Sequence, residues 1–277
     1  MIDVEANFAS VQWRGRDVAI EYAWLGSSDV ARPLVVFLHE GLGSVAMWKG
    51  FPQTLCEAAN LRGLVYSRPG YGGSTPRGAD ERWDVDYLHR QAHEVLPAFL
   101  ESVGVDASTV PWLLGHSDGG SIALLYAAAF PERVAGLVLL APHVFVEPIS
   151  VTSIEAVRIA YLETDLRRRL AKYHADVDSA FWGWNGIWLD PRFRRWNIES
   201  EIANLRCPVL AVQGCEDEHG TLDQVHAIRR RIPGTRVVVL ENCRHSPQRD
   251  QPERLLEAIV AFIASASSQE GPRDRAA

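Results

Sequence analysis

Apolar and polar positions along the chain alternate between short buried runs and longer one-sided stretches. Near the N-terminus, Val11-Gln-Trp13 and Val18-Ala-Ile-Glu-Tyr22-Ala-Trp-Leu25 alternate with period two, and Arg14-Gly-Arg-Asp17 between them supplies turn residues. That pattern predicts a β-hairpin. Pro33-Leu-Val-Val-Phe-Leu38 is apolar throughout, as a strand covered on both faces requires, and it ends in a glycine-rich loop, His39-Glu-Gly-Leu-Gly-Ser44. Residues 48–59 read as a helix and Arg62-Gly-Leu-Val-Tyr66 as the next strand. A second glycine-rich loop follows, Ser67-Arg-Pro-Gly-Tyr-Gly-Gly-Ser74. Between 85 and 103, Leu88, Ala92, Val95, Leu96 and Phe99 fall on one side of a helix.

Trp112-Leu-Leu114 and residues 134–141 are further buried strands, separated by an alanine-rich helix. Strand and helix in alternation predict an α/β fold: a mostly parallel central sheet with helices on both faces and ligands above the carboxyl ends of the strands. The rhythm breaks after Pro142. Residues 147–200 contain no strong strand, and 153–174 reads as one helix with Arg167-Arg-Arg169 inside it. Trp182, Trp184, Trp188 and Trp196 follow, four of the nine tryptophans. The sheet resumes at 207–213, then comes a helix at 222–231, a strand at 235–240 and an amphipathic helix at 252–264. One domain with one insertion accounts for this order: a core formed by 1–146 and 201–264, and a helical insertion at 147–200. The tail, 265–277, is small and polar and is expected to be frayed or disordered.

Between the apolar strand Trp112-Leu-Leu114 and the alanine-rich helix lies Gly115-His-Ser-Asp-Gly119, a G-x-S-x-G turn. A serine on so sharp a strand-to-helix turn is held in a strained backbone with its hydroxyl above the sheet. The helix starts directly behind it, so free N–H groups and the positive dipole end face whatever the serine attacks. Such a hydroxyl needs a base, and the base needs an orienting acid. Asp217 and His245 stand just after the strands ending at Gln213 and Leu240, in the chain order Ser, acid, His. Glu216 and Glu218 flank Asp217, and the spacing from Gly214 favours the aspartate. Among nine histidines, His89, His93, His174 and His226 lie in helical stretches and read as surface or packing residues. His116 lies inside the turn with its side chain directed away from that of Ser117. Oxyanion donors are expected from the backbone N–H of Asp118 and of Gly41 or Leu42. His39, Glu40, Trp182, Trp184 and Trp188 are the candidate pocket residues.

Composition narrows the partners. A net charge of −7 gives no basic footprint, which argues against nucleic acid or an anionic membrane. The N-terminal residues lack the pattern of a signal peptide, and no apolar run is long enough to span a bilayer, so a cytoplasmic location is expected. Cys56, Cys207, Cys215 and Cys243 show no C-x-x-C spacing, and neither a metal nor a cofactor is implied. The tryptophan-rich insertion points to a small apolar or aromatic substrate, and self-association into a homo-oligomer stays open.

The loop at His39, Arg68-Pro-Gly-Tyr-Gly-Gly-Ser74, the turn at Gly115–Gly119, Gly214 to Asp217 and His245 together resemble the α/β-hydrolase family over nearly the full length. The resemblance implies a Ser117–Asp217–His245 triad, an oxyanion hole and a helical cap formed by the insertion. Three positions depart from the family pattern: Glu40 where glycine usually follows the loop histidine, Arg244 where glycine usually precedes the last histidine, and Asp118 where Met or Gln is frequent. The leading expectation is hydrolysis of a small carboxylic ester through an acyl-enzyme on Ser117. The alternatives are C–C bond hydrolysis of a diketo acid from aromatic-ring breakdown, with Arg158, Arg192 or Arg195 as carboxylate anchor, and thioester hydrolysis. Outside enzymes, a ligand receptor with a residual triad is the competing class. Dehalogenase and epoxide hydrolase chemistry would need aspartate at position 117.

Overall fold

The computed structural model describes residues 6–78 and 80–269. Eight strands form one sheet: β1 (Asn7–Trp13), β2 (Arg16–Gly26), β3 (Leu34–Leu38), β4 (Arg62–Tyr66), β5 (Trp112–His116), β6 (Gly136–Leu140), β7 (Val209–Gly214) and β8 (Arg236–Leu240). Their spatial order is β1-β2-β4-β3-β5-β6-β7-β8. β1 and β2 pair antiparallel and β2 runs antiparallel to β4; every later pairing is parallel. The first hairpin closes more tightly than the sequence suggests, because Trp13 already pairs with Arg16. Arg14 and Gly15 alone make the turn, both at positive φ (53° and 76°), the geometry whose twist matches two paired strands.

β3, β5 and β6 are buried at every position. The pleat divides β3 between two cores: Leu34, Val36 and Leu38 face one layer, Val35 and Phe37 the other. On the first face pack α2 (Tyr87–Arg90) and α3 (Leu96–Ser102), through Leu88 and Phe99, and α4 (Asp118–Ala129). α1 (Phe51–Ala59) covers the second, together with the C-terminal helix, through Leu55 and Ile259. α2 and α3 are the helix expected at 85–103, interrupted by a π turn at Gln91–Val95. Pro97 lies in the next turn, has no N–H to give the carbonyl four residues back, and pushes its ring toward it; the widened turn accommodates that.

Between β6 and β7 the chain leaves the sheet as α5 (Pro148–Glu163), α6 (Leu166–Leu170) and α7 (Val177–Trp188). The single helix expected at 153–174 is therefore two, broken where Thr164 turns extended and Asp165 leads into α6. α7 covers the tryptophan-rich run, which composition alone left without an element; the Asp176 side chain caps it by accepting from the Ser179 N–H at 2.9 Å. The entry and exit of this excursion are joined: Phe145 and Asn197 form a β-bridge, and the Ile198 N–H donates to the Val144 carbonyl at 2.8 Å. After β7 come α8 (Asp223–Arg231), β8, α9 (Pro247–Asp250) and α10 (Pro252–Gln269). α10 carries the chain helically through 265–269, part of the expected frayed tail; 270–277 lie outside the described residues.

Candidate active site

β5 is the strand on which the site is built. At its end Ser117 adopts φ 53° and ψ −117°, and α4 starts at the next residue. A side chain at Gly115 would run into the Gly119 backbone, and one at Gly119 into the Leu38 carbonyl at the end of β3, so both flanks of the turn are closed to anything larger than hydrogen. Left-handed backbone at a non-glycine residue is strained, and here it points the Ser117 hydroxyl away from the sheet.

The loop after β8 brings His245 back over β5. Its Nε2 lies 3.0 Å from Ser117 Oγ, and its Nδ1 lies 2.9 Å from each Asp217 carboxylate oxygen. Asp217, on the loop after β7, also accepts from Gln213 Nε2 at 2.6 Å and from the His219 N–H at 2.8 Å. With its carboxylate fixed on three sides, Asp217 can take only the Nδ1–H of His245, which leaves Nε2 unprotonated toward the serine. His116 directs its Nε2–H to the His245 carbonyl at 2.7 Å and so steadies the loop from below.

Burial holds His245 well below the ordinary histidine value, with His219 and His116 acting in the same sense and Glu40 against them. Burial raises Asp217, while the His219 and Gly220 N–H groups pull it down. The arrangement can therefore move a proton from Ser117 to His245 near neutral pH and below, because the imidazole stays neutral there.

The His39–Ser44 loop stands beside the serine. The Glu40 carbonyl accepts from His39 Nδ1 at 2.7 Å, Arg68 at 2.8 Å and the Gly43 N–H at 3.0 Å, and the Arg68 N–H donates to His39 Nε2. These bonds fix the loop and leave the Gly41 and Leu42 N–H groups outside its backbone hydrogen bonds. Asp118, as the first residue of α4, has an N–H with no partner inside the helix. The Glu40 carboxylate turns toward His116 Nδ1 at 3.5 Å. Burial alone would raise it, but the hydrogen bond to His116 and the electrostatic attraction of that ring hold it far below the usual carboxylate range.

A cavity of about 140 Å³ opens at Ser117 and His245. Of the candidate pocket residues, Glu40, Trp184 and Trp188 line it, beside Gly41 and Leu42 of the loop expected to supply oxyanion donors. Trp182 and His39 do not. Trp182 lies on the opposite side of α7, and His39 is wholly buried with one ring nitrogen bound to the Glu40 carbonyl and the other to the Arg68 N–H of the neighbouring loop. Four further residues line the cavity: His143, His219, Ile154 and Val157. His143 had a signal in the sequence, since it follows the carboxyl end of a central strand; Ile154 and Val157 on α5 had none. Burial pushes His143 down to about 3, so its ring is neutral. His174 is a packing residue that ties two loops together, bonded to the Gly72 N–H and the Leu42 carbonyl, each at 3.0 Å.

The three unusual positions resolve separately. Arg244 pairs with Glu218 at 3.0 Å, away from Glu40. Arg68 reaches the carboxylate of Asp118 at 3.7 Å, both side chains wholly buried, and Asp118 also accepts from Tyr87 Oη at 2.8 Å and Trp188 Nε1 at 3.1 Å. Arg158 and Arg195 are exposed, and Arg192 is paired with Asp190 and Asp84; none lines the Ser117 cavity. Among the described residues no group of three or more His, Cys, Asp or Glu is placed to hold a metal ion, and no helix is long and apolar enough to cross a membrane.

This sheet order, with its serine turn after β5 and its partners after β7 and β8, is the arrangement of a hydrolase fold. Residues 35–258 match the alpha/beta hydrolase family, and the chain belongs to it. It is 22% identical to a monoacylglycerol lipase of Xenopus laevis, the match covering 86% of this chain and 77% of that protein. It is 26% identical to a pimeloyl-[acyl-carrier protein] methyl ester esterase of Aeromonas salmonicida, over 83% of this chain and 95% of the other. Among solved structures, a thermophilic esterase from Thermogutta terrifontis superposes with a TM-score of 0.71 at 18% identity, covering 95% of this chain and 99% of that one. The protein is thus an enzyme-type alpha/beta hydrolase with esterase- and lipase-like relatives.

Proposed function

We propose that the chain is a serine hydrolase that cleaves a small carboxylic ester through an acyl-enzyme on Ser117. The observation that carries this reading is the hydrogen-bonded line from Ser117 Oγ through His245 to Asp217, opening into an apolar cavity. His245 Nε2 takes the hydroxyl proton as Oγ bonds to the ester carbonyl carbon, and the carbonyl electron pair moves onto oxygen. That oxyanion is met by the N–H of Asp118 and the N–H of Gly41 or Leu42. Collapse breaks the C–O bond; the alcohol leaves with the proton from His245, and the acyl group stays on Ser117. Water then repeats the sequence, releasing the carboxylic acid and restoring the serine.

Cavity size favours short acyl groups: about 140 Å³ matches a site of about 150 Å³ that holds a benzene-sized guest. In this reading α5 to α7 act as a cap, with Ile154, Val157, Trp184 and Trp188 as its inner lining. C–C hydrolysis of a diketo acid is less well supported, because no arginine or lysine lines the cavity to hold a substrate carboxylate. Thioesters would pass through the same steps. The test is turnover of p-nitrophenyl esters of increasing chain length by wild type and Ser117→Ala, with intact mass after phosphonate labelling. Wild type turns over short esters and takes one label on Ser117, and the variant loses at least about 10⁴-fold in kcat. An unlabelled, inactive wild type overturns the proposal and favours a ligand receptor.

A further inference from the structure

α7 presents different chemistry on its two sides. Trp184 and Trp188 look into the Ser117 cavity, whereas Trp182, Gly183, Gly186 and Ile187 border a second cavity on the other side. This second cavity measures about 360 Å³. It is the larger of the two and falls within the about 300–1,000 Å³ that small-molecule sites occupy. Gly186 makes its floor bare backbone: a Cβ there would meet nothing within 4 Å. Glycine inside a helix is destabilising relative to alanine by roughly 0.5–1 kcal/mol, and no packing contact at Gly186 explains its presence.

The walls are aromatic and the rim is cationic. Trp83 is held rigid by stacking on Tyr87, with centroids 5.6 Å apart and planes 5° from parallel. Trp182 is held edge-on to Phe181 at 5.0 Å, and the Arg158 guanidinium lies 5.8 Å from its ring. Arg77, Arg82 and Arg192 line the cavity against a single acid, Asp190, which Arg192 already occupies at 2.7 Å. Among the described residues the Arg77 guanidinium bonds only backbone carbonyls, those of Gly78 and Glu81, and its Nε is buried without an acceptor. Among the described residues no acidic side chain pairs with Arg77 or Arg82. Two uncompensated guanidiniums beside two indoles, in a chain of net charge −7, form a local site for an anion that carries a ring.

We propose that this cavity binds an aromatic carboxylate, its ring between Trp83 and Trp182 and its carboxylate on Arg77 and Arg82, and that the occupant acts on the Ser117 cavity through α7. Any such ligand rests on the α7 backbone at Gly183 and Gly186. On the same turns, Trp184 packs against Gly41 and Trp188 donates to Asp118, so a displaced α7 reaches both sides of the expected oxyanion site. A ligand that binds one placement of α7 more tightly than another shifts that balance. The binding claim stands independently of ester hydrolysis; the coupling claim rests on it.

The test is calorimetric titration of the full chain with 2-naphthoate, after Ser117 has been capped by a phosphonate to close the first cavity. Wild type is expected to bind one equivalent. Gly186→Leu, which fills the floor with a better helix former, and Arg82→Ala, an exposed site, should each weaken Kd at least tenfold with unfolding temperature retained. The neutral isostere 2-naphthalenemethanol should bind at least tenfold more weakly than the acid. Absence of binding to the capped protein, or unchanged binding by Gly186→Leu, overturns the site. Coupling is read from kcat/KM for a p-nitrophenyl ester: 2-naphthoate should change it at least twofold in wild type and not in Gly186→Leu. An unchanged wild-type rate overturns the coupling. Failure of the phosphonate to label counts against the role of Ser117 alone, since the variants still report on the second cavity in unlabelled protein.

Discussion

Replacing Asp118 with alanine removes the acceptor on which three buried groups converge directly behind Ser117. Its carboxylate is wholly buried, and burial raises it while Arg68, Tyr87 and Trp188 pull it down. Without it, the Tyr87 hydroxyl and the Trp188 indole N–H lose the acceptor at 2.8 Å and 3.1 Å, and each orphaned donor costs about 1–3 kcal/mol. Arg68 is also fully buried, with Nε and one terminal nitrogen already unpaired; stranding such a charge costs about 3–5 kcal/mol. The contributions overlap, so Asp118→Ala is expected to lose at least about 4 kcal/mol, a large share of the about 5–15 kcal/mol that holds a domain folded. Urea unfolding followed by circular dichroism at constant m value measures this. Asp118→Asn keeps an acceptor for Trp188 and should lose about 1–3 kcal/mol less than the alanine variant. Arg68→Met combined with Asp118→Leu removes both charges and should be more stable than Asp118→Ala alone. The reasoning fails if Asp118→Ala lies within about 1 kcal/mol of wild type, or if the losses in the Arg68 and Asp118 single variants simply add.

The acid limb of kcat/KM should lie below pH 6.5, because His245 stays neutral until pH falls to its depressed value; Glu40→Gln removes a charge that favours the imidazolium and should move that limb lower still. Global stability should fall as pH drops below about 6.5: the unfolded chain then binds protons that buried His39, His143 and His174 and half-buried His219 and His245 refuse, at about 1.4 kcal/mol per pH unit for each histidine in its window. Denaturant titrations from pH 8 to 4 read that slope, and a flat profile refutes it. Gly41→Ala drives a methyl group into the Trp184 indole and displaces an expected oxyanion donor; steady-state kinetics should show kcat down by about 10²-fold with fold retained. Ile154→Ala opens the cavity wall and should shift the p-nitrophenyl ester preference toward longer acyl chains.

The strands could be read from the sequence because the central ones are short, largely apolar runs separated by loops and helices, and chain order then put Ser117, Asp217 and His245 at strand ends. Contacts that exist only after the chain has doubled back were not readable. Nothing local marks Arg68 as a partner of Asp118, or sets Ile154 beside the serine. Within the expected helical insertion, α7 was not delimited for a related reason. Glycine and tryptophan are modest helix formers, and the segment becomes helical because its buried face and the Asp176 cap outweigh propensity. Trp182 was misassigned since a run of indoles gives no phase until the helix turning them is known; neighbours in sequence then face opposite sides.

The bridge between Phe145 and Asn197, with Ile198 bonded to Val144, is a seam. Where two chain ends meet in register, the segment between them can grow, shrink or be exchanged without disturbing the sheet, since each doubling of its length adds only about 0.6 kcal/mol of closure entropy. Ser117, Asp217 and His245 lie on the sheet side of that seam, while Ile154, Val157, Trp184 and Trp188 lie beyond it. The molecule is thus divided into a fixed frame and an interchangeable mould. A graft at the seam would recast what fits while leaving Ser117, His245 and Asp217 where they are, provided the new segment again offers Asp118 the donor that Trp188 supplies.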